Sequence, residues 1–130
     1  MGGVTVLRVI NTDKAPAAVG PYSQAVAAGG FLFVSGQIPL NPLTGEMVTD
    51  FEEACKQSLD NLFSVVAAGG SSPDNIVKVN VYVRDMGKFS ILNEIYATYF
   101  KGHKPARAVV EVSNLPKNAP VEIEAVAIIP

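Results

Sequence analysis

The stretch TDFEEACKQSLDNLFSVVAAGG (residues 49–70), followed at once by IVKVNVYV (residues 76–83), decides the fold class. Thr49 and Glu52 have the spacing of a capping box, a hydroxyl at the N-cap and a carboxylate three residues on. Cys55, Leu59, Leu62 and Val66 recur at steps of four, three and four, the apolar stripe of an amphipathic helix. Gly69-Gly70 supplies a left-handed residue to end it. The period then changes. Val77, Val79, Val81 and Val83 alternate, which predicts a strand buried on that face.

On the N-terminal side, Val4–Val9, Tyr22–Ala28 and Phe31–Ser35 are apolar runs of strand length. Gly29-Gly30 joins the last two as a tight hairpin, and Asn41-Pro42-Leu43-Thr44-Gly45 is turn chemistry. On the C-terminal side a second helix runs from about Lys88 to Phe100. Phe89, Leu92, Tyr96 and Tyr99 or Phe100 face inward on it, and Lys101-Gly102 closes it. Two more strand-like runs, Lys104–Val112 and Val121–Ala127, finish the chain. Strand–helix–strand crossovers make parallel pairs while the early hairpin is antiparallel, so the expected sheet is mixed. The expected class is α+β: a six-stranded mixed sheet with two helices on one face, forming a single domain over residues 1–130. The uncovered face stays partly apolar, which predicts a homo-oligomer.

Composition narrows the function. The chain has 130 residues, 48% hydrophobic and 17% charged, a globular balance with room for one core. A net charge of -2 and a pI of about 5.3 give no global attraction for nucleic acid or an anionic membrane. One cysteine, Cys55, excludes an internal disulfide, and with the single histidine, His103, leaves too few soft ligands for a zinc site. Cys55 lies in the helical stripe and reads as a small core residue. No signal peptide, myristoylation signal or membrane-length apolar run is present, so a cytoplasmic location is expected.

The chemistry concentrates in the last two runs. Arg107 opens an apolar strand, and Glu122 and Glu124 sit on the next. A planar guanidinium holds a carboxylate bidentately and a nearby carboxylate moves protons, a pairing suited to a small carboxylated substrate. The structural alternative for Arg107 is an ion pair with Glu111, four residues on along the same strand face. Glu124 can be a solvated neighbour, and Tyr22 a strand residue with a buried ring and a wet tip. His103, in the basic loop Lys101–Lys104, can be a general base or simply solvated. The glycine pairs lack the spacing and the Lys-Ser/Thr of a phosphate loop.

Five segments in order, Gly20-Pro21-Tyr22-Ser23-Gln24-Ala25, Ser35-Gly36-Gln37-Ile38-Pro39, Pro105-Ala106-Arg107, Leu115-Pro116-Lys117 and Val121-Glu122-Ile123-Glu124-Ala125, resemble the RidA (YjgF-type, reactive intermediate deaminase) family. The resemblance spans nearly the whole chain. It implies a chorismate-mutase-like fold, a homotrimer with a cleft at each subunit interface, and cofactor-free hydrolysis of 2-enamine and 2-imine intermediates such as 2-aminoacrylate to a 2-keto acid and ammonia. It further implies that Arg107 binds the substrate carboxylate, that Glu122 positions or activates water, and that the Tyr22 hydroxyl holds the imine or the water. Ser35 and Gly36 correspond to a segment whose main-chain groups line the cleft, and Asn93 to a helix position near it. Many relatives carry cysteine where Val109 stands, so a thiol nucleophile is absent there; if only the backbone at this position contacts the ligand, valine suffices and imine hydrolysis survives. The resemblance also implies that the last strand inserts into the middle of the sheet. A direct hairpin across Ser113–Pro120 would instead set Arg107 and Glu122 roughly 16 Å apart, too far for one small substrate, so their joint use requires either the inserted strand order or contributions from two subunits. Two other functions fit the same residues: a non-catalytic binder of 2-keto acids, and an RNA-cleaving or translation-inhibiting protein. The last would need a basic groove, for which Lys101, His103, Lys104 and Arg107 are the only cluster.

Overall fold

A computed structural model describes residues 6–130, in the order β1 (Leu7–Ile10), β2 (Ala25–Ala28), β3 (Phe31–Gln37), α1 (Phe51–Ala68), β4 (Ile76–Val83), α2 (Phe89–Tyr99), β5 (Ala106–Glu111) and β6 (Val121–Ile128). The helix at the centre of the sequence forms one residue later than the capping box places it. Asp50, not Thr49, is the N-cap, its carboxylate accepting from the Glu53 N–H at 3.2 Å. The far end closes as expected of a glycine pair. Gly70 adopts φ +85°, its N–H reaches the Ala67 carbonyl at 3.0 Å, and the Ser71 N–H reaches Val66 at 3.1 Å.

The six strands form one sheet in the order β1-β2-β3-β6-β4-β5. β6 lies between β3 and β4, antiparallel to both, and β5 pairs with β4 in parallel across the α2 crossover. The sheet is mixed and the last strand is central, as the resemblance implied. Cys55, Leu59, Leu62, Val65 and Val66 of α1 are fully buried against Leu32, Val79, Val81, Ile123 and Ala127 of the sheet, each such side chain contributing about 1.5–3 kcal/mol. From α2, Leu92, Ile95, Tyr96 and the following Phe100 join this core.

Several local expectations shift. Val4 and Thr5 lie outside the described residues, and the second strand starts at Ala25, leaving Tyr22 in the preceding loop. Val77 does not share the buried face of Val79, Val81 and Val83. An extra residue between the Ile76–Ala127 and Lys78–Val126 pairs makes a bulge that turns Val77 outward. Phe89 is also partly exposed rather than buried.

The face away from the helices carries two cross-strand rows. Leu7, Ala28, Phe31 and Ile128 pair in one row, and Val9, Val26, Phe33 and Val126 in the next. Leu7, Val9, Phe31, Phe33 and Ile128 are all 40% exposed or more, so this face presents a contiguous apolar patch. Among the described residues no helix is long and apolar enough to cross a membrane.

Candidate functional site

Beside that patch the sheet opens into a cleft of about 760 Å³. Two buried amides hold its walls. The Gln24 side chain accepts from the Thr12 N–H at 2.7 Å and donates to the Thr12 and Pro16 carbonyls at 3.0 and 2.8 Å. This fastens the segment that contributes Pro16, Ala17 and Val19. Asn61 of α1 donates to the carbonyls of Ile38 and Leu40 at 3.1 and 2.9 Å, fastening the opposite wall. A loop cannot bury its own carbonyls without such partners, which is why two polar side chains persist in the core.

The floor comes from β3 and β6. Their register breaks between Val34 and Gln37, and Gly36 sits in that irregularity. A Cβ on Gly36 would lie 2.7 Å from the Glu122 carboxyl carbon, so only glycine lets the carboxylate rest against the β3 backbone. Burial first, and then the charge of Glu124, push the Glu122 pKa above the ordinary glutamate range. Glu124 is no free-standing neighbour, because the Asn80 amide and the Tyr82 hydroxyl both donate to its Oε2, at 3.2 and 3.3 Å. Tyr22 lines the cleft with its side chain half exposed. Ser35 lines it too, but its hydroxyl donates to the Ser23 carbonyl at 2.6 Å and its N–H to the Gln24 carbonyl at 2.9 Å. Those two donors serve the cleft's architecture.

Arg107 lies elsewhere. It pairs with Val79, which pairs with Ala125, and that row faces the helices; Glu122 pairs with Tyr82 in the alternate row. The two charged groups therefore point from opposite faces of one sheet. The Arg107 guanidinium rests on aromatic rings of α2, its Cζ 4.7 Å from the Tyr96 centroid and 5.7 Å from that of Phe89. Its ion pair with Glu111 does not form, since the Glu111 carboxylate accepts from the Met86 N–H at 2.9 Å. Among the described residues the one ion pair joins Lys56 to Glu53. Val109, on the Arg107 face of β5, and Asn93 of α2 are half-buried on that side.

Tyr22, Ser35, Gly36 and Glu122 are thus brought together, and Arg107, Val109 and Asn93 are grouped apart from them. Lys117 also lines the cleft, held by a turn in which Lys117 and Asn118 take left-handed φ of 56° and 59°. The motif Leu115-Pro116-Lys117 was the one sequence signal for it. His103 hydrogen-bonds the Ile76 carbonyl at 2.7 Å from its exposed loop, and among the described residues no three His, Cys, Asp or Glu side chains cluster around a metal position. What remains is a guanidinium without an anion and a carboxylate disposed to take a proton, on separate surfaces.

The profile of the Endoribonuclease L-PSP family matches residues 12–129. A RutC family protein of Pyrococcus horikoshii is 51% identical over 120 residues, covering 92% of this chain and 95% of that protein. The mouse 2-iminobutanoate/2-iminopropanoate deaminase is 47% identical over 124 residues, covering 95% of this chain and 92% of that one. The crystal structure of Escherichia coli TdcF with bound serine superposes with a TM-score of 0.91 at 40% identity, covering 93% of this chain and 98% of that one. With the profile spanning nearly the whole chain, the inserted last strand in place and the cleft built from the quoted motifs, the chain belongs to the Endoribonuclease L-PSP family, that of the YjgF/RidA proteins.

Proposed function

We propose that this protein is a hydrolase of 2-imino and 2-enamino acids, releasing a 2-keto acid and ammonia, and that it works as a homotrimer with each site shared by two copies. The carrying observation is that Arg107 has no anionic partner among the described residues of its own chain while Glu122 waits on the opposite face of the sheet. Opposite faces of one sheet cannot grip one small molecule. A neighbouring copy packed on the apolar rows can bring its Arg107 surface to the cleft rim. Relatives named as deaminases at 45% identity and above support the same chemistry.

In this mechanism the guanidinium of one copy binds the substrate carboxylate through two parallel charged hydrogen bonds. The backbone near Gly36 and Val109 and the side chain of Asn93 border the ligand. An enamine first tautomerises to the imine. Glu122 of the next copy takes a proton from water as its oxygen attacks the imine carbon, with the Tyr22 hydroxyl orienting that water. That proton passes to nitrogen to give the carbinolamine; its hydroxyl proton then follows to nitrogen by way of Glu122 as C=O forms and the C–N bond breaks, so ammonia leaves with the keto acid behind. Every atom of the balance comes from substrate and water, so no co-substrate is consumed.

The test couples purified protein to an amino-acid oxidase or dehydratase that generates 2-iminopropionate and follows keto-acid release. Acceleration over buffer that disappears in Arg107→Ala is the expected result. Full activity in that variant overturns the proposal. Keto-acid binding without turnover would instead make the protein a small-carboxylate binder. RNA cleavage, which the family description names, has less support: the chain's one histidine is tied to a main-chain carbonyl.

A further inference from the structure

Tyr96 is 8% exposed, packed in the core beside Phe100 with ring centroids 4.6 Å apart. Its hydroxyl has no hydrogen-bond partner among the described residues, an uncommon state for a buried polar atom. Nothing about that oxygen explains why a tyrosine-sized aromatic stands here. The ring face does. The Arg107 guanidinium lies 4.7 Å from the Tyr96 centroid, closer than to Phe89 at 5.7 Å, and among the described residues no carboxylate holds it in place.

We infer that Tyr96 is a positioning residue that acts through its ring, fixing the plane of the Arg107 guanidinium so that its two outer nitrogens are presented to an incoming carboxylate. An arginine without an ion pair has several rotatable bonds and would otherwise sample many orientations. Holding it on an aromatic face removes most of that freedom before the ligand arrives, and it does so without spending the guanidinium's N–H donors. A carboxylate in the same position would orient the arginine as well but would occupy the fork that the substrate needs. The phenol stays neutral, since burial pushes its pKa up to about 12 against the opposing pull of Arg107, so no phenolate competes for the cation.

This rests on the clamp role proposed for Arg107, and the experiment keeps the two apart. Binding of 2-oxobutanoate to the full-length protein is measured by calorimetry, with KM and kcat for the coupled imine reaction. Tyr96→Leu should weaken 2-oxobutanoate binding and raise KM about tenfold while kcat changes little. Tyr96→Phe, which keeps the ring, should restore both. Phe100→Leu, which removes a neighbouring ring that does not contact the guanidinium, should lower Tm yet leave KM unchanged. Where Tyr96→Leu does not fold, Tyr96→Met carries the same expectation. Wild-type KM in the non-aromatic variant overturns the inference, as does a Tyr96→Phe protein as impaired as Tyr96→Leu, or an equal rise in KM in Phe100→Leu. If wild-type protein itself fails to bind 2-oxobutanoate, the clamp falls and the inference with it.

Discussion

Glu122 sits against the Gly36 backbone with its pKa raised by burial and by the neighbouring charge of Glu124. A general base acts as the anion, so kcat/KM should fall as pH drops through a value above the ordinary glutamate range. Glu124→Gln removes the like charge and should move that acidic limb to lower pH, which a pH–rate profile reads directly. Glu122→Gln should lower kcat by about 10²–10⁴-fold while keto-acid binding persists. Its stability effect has a definite sign. A carboxyl with a raised folded pKa bears its charge at a cost that is full above that pKa and absent below the unfolded one. The glutamine variant should therefore melt at a higher temperature than wild type near pH ~7, and the difference should vanish toward pH ~4. A variant less stable than wild type at both pH values would contradict this placement. Cys55 shows the opposite use of burial: fully covered, its thiol pushed up to about 12 by desolvation and then by Glu52, it is core packing and chemically quiet.

Among the elements, α1 was legible because its stripe at steps of three and four has one physical reading, and Leu59, Leu62 and Val66 are indeed fully buried. Its start was less so. Thr49-x-x-Glu52 and Asp50-x-x-Glu53 are overlapping frames of one pattern, and sequence alone does not choose between them. The structure uses Asp50. Asp50→Ala should cost about 1 kcal/mol and lower Tm by a few degrees, whereas Thr49→Ala should leave the melt unchanged. The β4 strand was equally plain in its alternation, yet Val77 escaped it, because a bulge depends on the partner strand's register and that partner lies almost fifty residues away. Helical spacing points Phe89 inward, but its ring stays at the surface, beside Arg107.

At the scale of the molecule, the active unit is expected to need two chains, and a mixing experiment tests that. Arg107→Ala and Glu122→Gln proteins should each be inactive alone. Mixed in equal amounts and allowed to exchange subunits, they should recover about a quarter of wild-type activity, since one site in four then joins an intact arginine to an intact glutamate. No recovery after demonstrated exchange would mean that one chain supplies both groups. The sequence by itself determined the helices, the apolar runs, the lack of a second histidine and the five motifs, because periodicity and side-chain chemistry are local properties. It also marked Arg107 and Glu122 as the charged pair to watch. The resemblance already implied the central place of β6, but only the tertiary structure decided the pairing registers, and with them that the two residues project from opposite faces. Side-chain direction alternates along a strand, so which face a residue takes depends on the register of pairings between distant segments, and no single stretch of the chain carries that information.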